Sequence, residues 1–372
     1  MQTSSRKREF NLSLNGYRGL CATLVFIYHV GGAGIMPWPS GSMVQDGVNY
    51  LWTSTAYGVE MFFMISGFVI LGSLLRHEST ASFLKDRFVR IFSAWVPALI
   101  AVTLVAYAVQ TDPFVNVSVS NAAALFVGNL LLLPPIVRFP MIHQVSWSLS
   151  YEWVFYFSSA VALLIFRRHR ARDALFIGWL CIAGIFVVLF PRALFFITGV
   201  IVFAYRDWFA ARVRWLKYPL ISLLVFLVAW RATGAMKAHL NDTVFDFVMD
   251  GRWLALVIAF VASIHLFAAV TLNASRQTAF LCGSIFQFLG RISYSFYLWH
   301  TPVMAMIKRV VVPPIVEHYG VGAGVIALAV GTFVLAIPVS WFSWWLFETR
   351  LAGLMRRAWA PRAEVGGPVR AV

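Results

Sequence analysis

Acidic residues are scarce in this chain. Its 372 residues hold 15 Asp and Glu against 30 Lys and Arg, and charged residues make up only 12% of the total. A soluble domain carries about 25% charged residues, so the composition excludes an ordinary water-soluble fold. Cysteine is scarcer still. Cys21, Cys181 and Cys282 lie in or beside apolar runs, without the spacing of a disulfide framework or a metal site. No metal ligand set is expected. Tandem repeats and low-complexity tracts are missing too. So is an A-x-A-like cleavage site behind the first apolar run, which is therefore expected to stay as a signal anchor.

What the chain has in abundance is apolar surface. Hydrophobic residues make up 60% and the mean hydropathy is +0.77. These values describe an all-α polytopic membrane protein. The formal charge of +15 comes from basic residues scattered through short loops. That pattern sets membrane orientation, and nucleic acid is not an expected partner.

Apolar runs long enough to span, or nearly so, lie at about 14–35, 57–75, 91–110, 148–166, 174–190, 193–205, 218–232, 252–272, 286–307 and 321–347. The run 122–137 is short and ends in Pro134-Pro135. Charge decides its placement. If it does not span, one side collects Arg6-Lys7-Arg8, then Arg76, Lys85, Arg87 and Arg90, then Arg167, Arg168, Arg170 and Arg172. Arg206, Arg212, Arg214, Lys217, Arg276, Arg291 and the tail from Arg350 follow on the same side. That side then carries 22 Lys and Arg and the other 7, with Arg18 inside the first span. The positive-inside rule favours this arrangement. It predicts about ten transmembrane helices with both termini cytoplasmic. It divides the chain into a cytoplasmic segment 1–13, one membrane domain 14–349 and a basic cytoplasmic tail 350–372. Residues 111–147 become an external, partly re-entrant segment. A second external loop, 233–251, carries Asp242, Asp246 and Asp250.

Arg18 and His29 stand out inside the first span. Charged and titratable residues within the membrane are costly and mark functional sites. Eleven positions apart, they share nearly one helix face at a separation of roughly 16 Å. Counting inward from the expected span ends puts His29 roughly 22 Å from the cytoplasmic edge and Glu152 roughly 8 Å below the outer edge. In a core about 30 Å thick those depths coincide. Glu60 lies slightly shallower. A carboxylate beside an imidazole suits general-base activation of a hydroxyl. Plainer readings exist for each residue. His29 can bond a neighbouring helix, Glu152 can sit in interfacial water, and Arg18 can snorkel. Arg87 and Arg90 can act as topology signals, and Ser66 can cap its own backbone or sit at a tight contact beside Gly67. Trp299 and His300 can serve packing.

Six strings in order resemble the acyltransferase-3 family of membrane-bound O-acyltransferases: LNGYRGLCATLVFIYH, YGVEMFFMISGFVI, FLKDRFVRIFSAWVPA, SWSLSYEWVFYF, FLGRISYSFYLWHTPV and FSWWLFETRLAGLMRR. They run from about 14 to 357 and hold Arg18 and His29, Glu60, Arg87 and Arg90, Glu152, Trp299 and His300, and Glu348. Ser93 departs from the family's frequent proline, and Tyr151 and Trp153 from its frequent small and acidic neighbours of Glu152. The resemblance implies a stand-alone enzyme with no fused hydrolase-like domain, in a bacterial inner membrane. It would move an acyl group, usually acetyl, from cytoplasmic acyl-CoA to a hydroxyl of an extracytoplasmic glycan or glycolipid. No tightly bound cofactor is expected, since acyl-CoA is a substrate. Membrane lipid is the remaining expected partner, and a homo-oligomer is compatible with the chain.

On that reading Arg18, Arg87 and Arg90 hold the polyanionic donor. His29 is the general base, or the nucleophile of an acyl-histidine intermediate. Glu152 and Glu60 orient His29 or the sugar. Ser66, Tyr297, Trp299 and His300 are further candidates. Trp147, Tyr151 and Trp153 could stack on a sugar or anchor at the interface. A transporter with an intramembrane His/Glu site is the rival class; it would favour inverted repeats, and none is visible.

Overall fold

The computed structural model describes residues 11–35, 41–77, 79–167, 172–233 and 243–359. Arg6, Lys7, Arg8, Arg168, Arg170, Asp242 and the tail beyond 359 lie outside the described residues. Of the described residues 84% are helical, and no strand occurs among them. In order the helices are α1 Leu12–Gly31, α2 Met43–Ser54, α3 Gly58–Leu74, α4 Thr80–Ala108 and α5 Val119–Leu130. Next come α6 Ser146–Phe166, α7 Arg172–Leu189, α8 Leu194–Ala204, α9 Arg206–Ala211 and α10 Pro219–Ala232. The last are α11 Val244–Met249, α12 Trp253–Thr271, α13 Ser284–Val310, α14 Val312–Ser343 and α15 Ala352–Trp359. A π-helical segment, Trp344–Leu351, joins α14 to α15.

Polar caps start several of these helices. The side chains of Asn11, Ser42, Ser79, Ser118 and Thr243 accept backbone N–H groups that the first turn would leave unpaired. α14 breaks at Gly320, whose φ of 81° favours glycine.

Every one of the ten apolar runs folds as helix. Length and composition nevertheless support five spans, or six if α7 and the Pro191–Ala204 segment, bent by 119°, form one. α8 and α10 have 11 and 14 residues, or roughly 16 and 21 Å, short of a core about 30 Å thick. α1 and α13 have the length, with 20 and 27 residues. They fall outside the apolar set because they carry the polar residues, among them Asn15, Arg18, His29, Arg291, Tyr294, Tyr297 and His300.

These two polar helices make the most extensive helix contact among the described residues. Glycines allow it. A Cβ on Gly19 would lie 2.7 Å from the Phe286 carbonyl oxygen, and one on Gly290 would lie 1.9 Å from that of Asn15. Small residues let backbones approach in this way where lipid gives no hydrophobic drive. α3 and α8 meet similarly at Gly67 and Gly199. α5 is too short to cross. Beyond it the chain turns back into the protein, where buried Asn129 donates to Pro140 O and accepts from Ile142 N. Ile142, His143, Val145 and Ser146 are buried as well, so α6 begins inside the molecule.

Candidate active site

α1, α3, α4, α6 and α13 enclose a cavity of about 530 Å³, counting its open mouth. Arg18, Arg90, Glu152, Ser66, Ser293 and Tyr294 line its polar part, and Val59, Phe62, Phe63, Leu149, Ser148 and Tyr297 its less charged part. Arg18 and Arg90 interact electrostatically with each other and with Glu152 and Glu348. The two cations repel each other, and the two carboxylates offset part of that repulsion.

The carboxylates are held elsewhere than beside His29. Glu152 accepts from Ser66 Oγ at 2.7 Å and from the Tyr156 hydroxyl. Glu348, on the π-helical segment, accepts from Ser295 N at 3.1 Å and Ser295 Oγ at 2.6 Å. Glu60 is 0% exposed and pairs with Arg192 at 3.1 Å. Arg192 also lies over the Trp147 ring, 5.0 Å from its centroid. The expected pairing of Glu152 or Glu60 with His29 is therefore absent among the described residues. Glu152 lines the same cavity as Arg18 and Arg90, where Ser66 and Tyr156 hold it.

His29 meets a histidine instead. Its Nδ1 lies 2.9 Å from Val25 O and 3.2 Å from His300 Nε2. The ring centroids are 5.0 Å apart at 64°. A carbonyl oxygen only accepts, which assigns the proton to Nδ1 of His29 and leaves Nε2 with its lone pair. His300, 0% exposed, donates from its own Nδ1 to Phe296 O at 2.9 Å. Its Nε2 is then free to accept from His29. Phe26 and Phe296 pack around the His300 ring. His143 comes close enough to interact electrostatically with both rings and donates from Nε2 to Leu298 O at 2.9 Å.

The other candidates divide. Arg90 lines the cavity, whereas Arg87 does not. Arg87 is 4% exposed, bonded to Asp86 at 2.7 Å and Ser73 at 3.1 Å, and stacked over Phe83 and Tyr156. Its Nη2 is engaged by Asp86 and Ser73, while its buried Nε has no hydrogen-bond partner among the described residues. Ser66 bonds Glu152, while its neighbour Gly67 makes the tight contact. Tyr297 and Ser148 share a 2.7 Å hydroxyl contact. Tyr151 is 1% exposed within Phe63, Phe186 and Phe190, so it offers no face to a sugar. Trp153 packs on Phe88 and Phe92, beside the Arg87–Arg90 stretch. Trp147 stays half-buried under Arg192. Trp299 donates to Ser343 Oγ at 2.9 Å, tying α13 to α14.

Sequence reasoning passed over Tyr156, Tyr294, Ser148, Ser293, Arg192 and His143. Tyr156 had a signal, four residues after Glu152 on one helix face. Arg192 had none that pointed to Glu60.

No solved structure matches the chain. The acyltransferase MdmB of Streptomyces mycarofaciens is 24% identical over 315 residues, covering 78% of each chain. A Staphylococcus aureus (strain MSSA476) protein, provisionally named as an O-acetyltransferase, is 22% identical over 348 residues, covering 82% of this chain and 52% of its own. The counterpart from strain MRSA252 matches to the same extent. The chain thus spans about half the length of these staphylococcal relatives. The acyltransferase-domain family profile matches residues 11–345. With its apolar helices and with the cavity and histidine pair inside the matched region, the chain belongs to the acyltransferase-3 family of integral membrane acyltransferases.

Proposed function

We propose that the protein is an O-acyltransferase of a bacterial cytoplasmic membrane. It takes an acetyl group from acetyl-CoA on the cytoplasmic side and esterifies a hydroxyl of an extracytoplasmic glycan or glycolipid. The observation that carries this reading is the two-ended face of α1. Arg18 opens onto a cavity with a second cation, and His29, eleven residues on, presents an imidazole with an unprotonated Nε2. A polyphosphate donor suits the first end. A hydroxyl acceptor suits the second. The staphylococcal relatives' name supports acetyl as the group and oxygen as its destination.

In this mechanism Arg18 and Arg90 hold CoA phosphate, and the acyl end extends along the cavity towards His29. His29 Nε2 takes the acceptor's proton as its oxygen attacks the thioester carbonyl. The resulting imidazolium is stabilised by Nδ1–H donation to Val25 O and His300 Nε2. The tetrahedral intermediate then expels CoA thiolate, the C–S bond breaks, and His29 returns the proton to sulfur. His300 acts here as a positioning residue.

Acetyl-CoA binding and turnover of purified wild type, Arg18→Ala and His29→Ala test the reading. Arg18→Ala is expected to weaken affinity about tenfold or more, as loss of a charge-assisted contact does. His29→Ala is expected to bind normally and to turn over about 10²–10⁴-fold more slowly. Folded wild type without affinity for acetyl-CoA would return transport to the lead.

A further inference from the structure

The donor cavity and the histidine pair are next to each other, yet the cavity does not reach His29 or His300. Its wall holds Phe62 and Tyr297. The two rings meet edge to face with centroids 6.1 Å apart. The Tyr297 hydroxyl lies 2.7 Å from Ser148 Oγ and donates to Val145 O at 3.0 Å. The ring cannot swing without losing these contacts. The Tyr297 ring also lies 6.1 Å from that of His300. Phe62 alone among the described residues packs against both hydrophobic clusters, the one around the cavity and the one around Phe26 and Phe296.

Rise along α13 gives the same order. Tyr294, Tyr297 and His300 follow at steps of roughly 4.5 Å, from cavity, to wall, to histidine pair. A thioester in the cavity must pass this wall to meet the base.

A transferase that works beside water has a competing reaction. Water attacks the thioester carbonyl as a hydroxyl does: the C–O bond forms, the C–S bond breaks, and the proton ends on the CoA sulfur. The products are acetate and free CoA. Excluding water until the acceptor is seated suppresses that loss. We propose that Phe62 and Tyr297 form a septum between donor cavity and His29, displaced when the acceptor hydroxyl is seated, and so select a glycan hydroxyl against water. The inference rests on the acyl-CoA reading above. Both residues are specificity determinants and neither takes part in bond making.

The test measures free thiol released from acetyl-CoA without acceptor, in nanodiscs, for wild type, Phe62→Ala, Phe62→Leu and Tyr297→Phe. Phe62→Ala is expected to raise this leak about tenfold or more as water gains access. Phe62→Leu restores bulk and lowers the leak again. Tyr297→Phe keeps the ring but frees it from Ser148, and gives an intermediate leak. Adding His29→Ala to Phe62→Ala abolishes the excess, since the leak uses the same base. Variants that bind acetyl-CoA as wild type does but show no added hydrolysis would overturn the septum. Should Phe62→Ala lose binding, Tyr297→Phe carries the same expectation and the same overturning result. Wild type that neither binds nor consumes acetyl-CoA would sink the donor reading and this inference with it, a result distinct from a silent septum in an active enzyme.

Discussion

The two ends of the site are built from opposite materials. At the cavity end, five helices and the π-helical segment bring together two arginines, two carboxylates and several hydroxyls. Each carboxylate there has hydroxyl donors of its own. At the histidine end, two helices suffice, and the rings lie among Phe26, Phe296 and Tyr297. There the imidazoles are oriented by backbone carbonyls one turn back in their own helices. The difference teaches where each kind of group is affordable. Charges inside a membrane protein need partners or a wet cavity, and on the proposed reading an anionic donor would complete the cavity end. A neutral imidazole needs only one acceptor to fix its tautomer, so the histidine pair can sit in less polar surroundings.

The sharpest way to break this contrast is to disturb what the ends share. Both hang on the α1–α13 crossing. Gly290→Val drives a side chain into the Asn15 backbone and is expected to cost at least about 3 kcal/mol, near the top of the overpacking range. Acetyl-CoA affinity and thermal midpoint should fall together. Retained affinity with normal stability would mean that the crossing does not set the site.

A smaller and more selective effect is expected at the histidine end alone. His300→Asn removes the acceptor facing His29 Nδ1 while keeping a polar side chain. Turnover should drop about 10–100-fold, the worth of one buried hydrogen bond to a group that becomes charged. Acetyl-CoA affinity should stay within about twofold, because His300 lies outside the cavity. An equal loss of affinity and turnover would show that the two ends are not separable.

Much of this was legible in the sequence. The ten apolar runs became helices, and the family strings pointed to Arg18, Arg90, His29 and His300. What the sequence could not carry was pairing across helices. His29 and His300 are 271 residues apart, and Glu60 finds Arg192 across 132. Neither distance has a local signal. The depth count put Glu152 near His29, whereas its side chain lines the cavity with Arg18 and Arg90. Arg87 and Arg90 look equivalent in a string. Only packing reveals that Asp86, Ser73, Phe83 and Tyr156 occupy the first and leave the second to the cavity. The span count did not settle for two other reasons: α1 and α13 are made polar by the residues they carry, and α8 and α10 are short.

The smallest effect probes how the donor end keeps its charges apart. Glu152 faces Arg18 and Arg90 but is held by Ser66 and Tyr156. A carboxylate so anchored leaves the guanidinium groups available for phosphate. Ser66→Ala removes one anchor, worth about 1 kcal/mol, and lets Glu152 lean towards the cations. The carboxylate then competes with the donor, so acetyl-CoA affinity should weaken about threefold to fivefold. Turnover at saturating donor should hold, because the histidine pair is untouched. Adding Glu152→Gln to Ser66→Ala should recover the affinity, since an amide no longer neutralises the arginines. If Ser66→Ala binds acetyl-CoA as wild type does, the hydroxyl serves helix packing beside Gly67 and Glu152 needs no restraint.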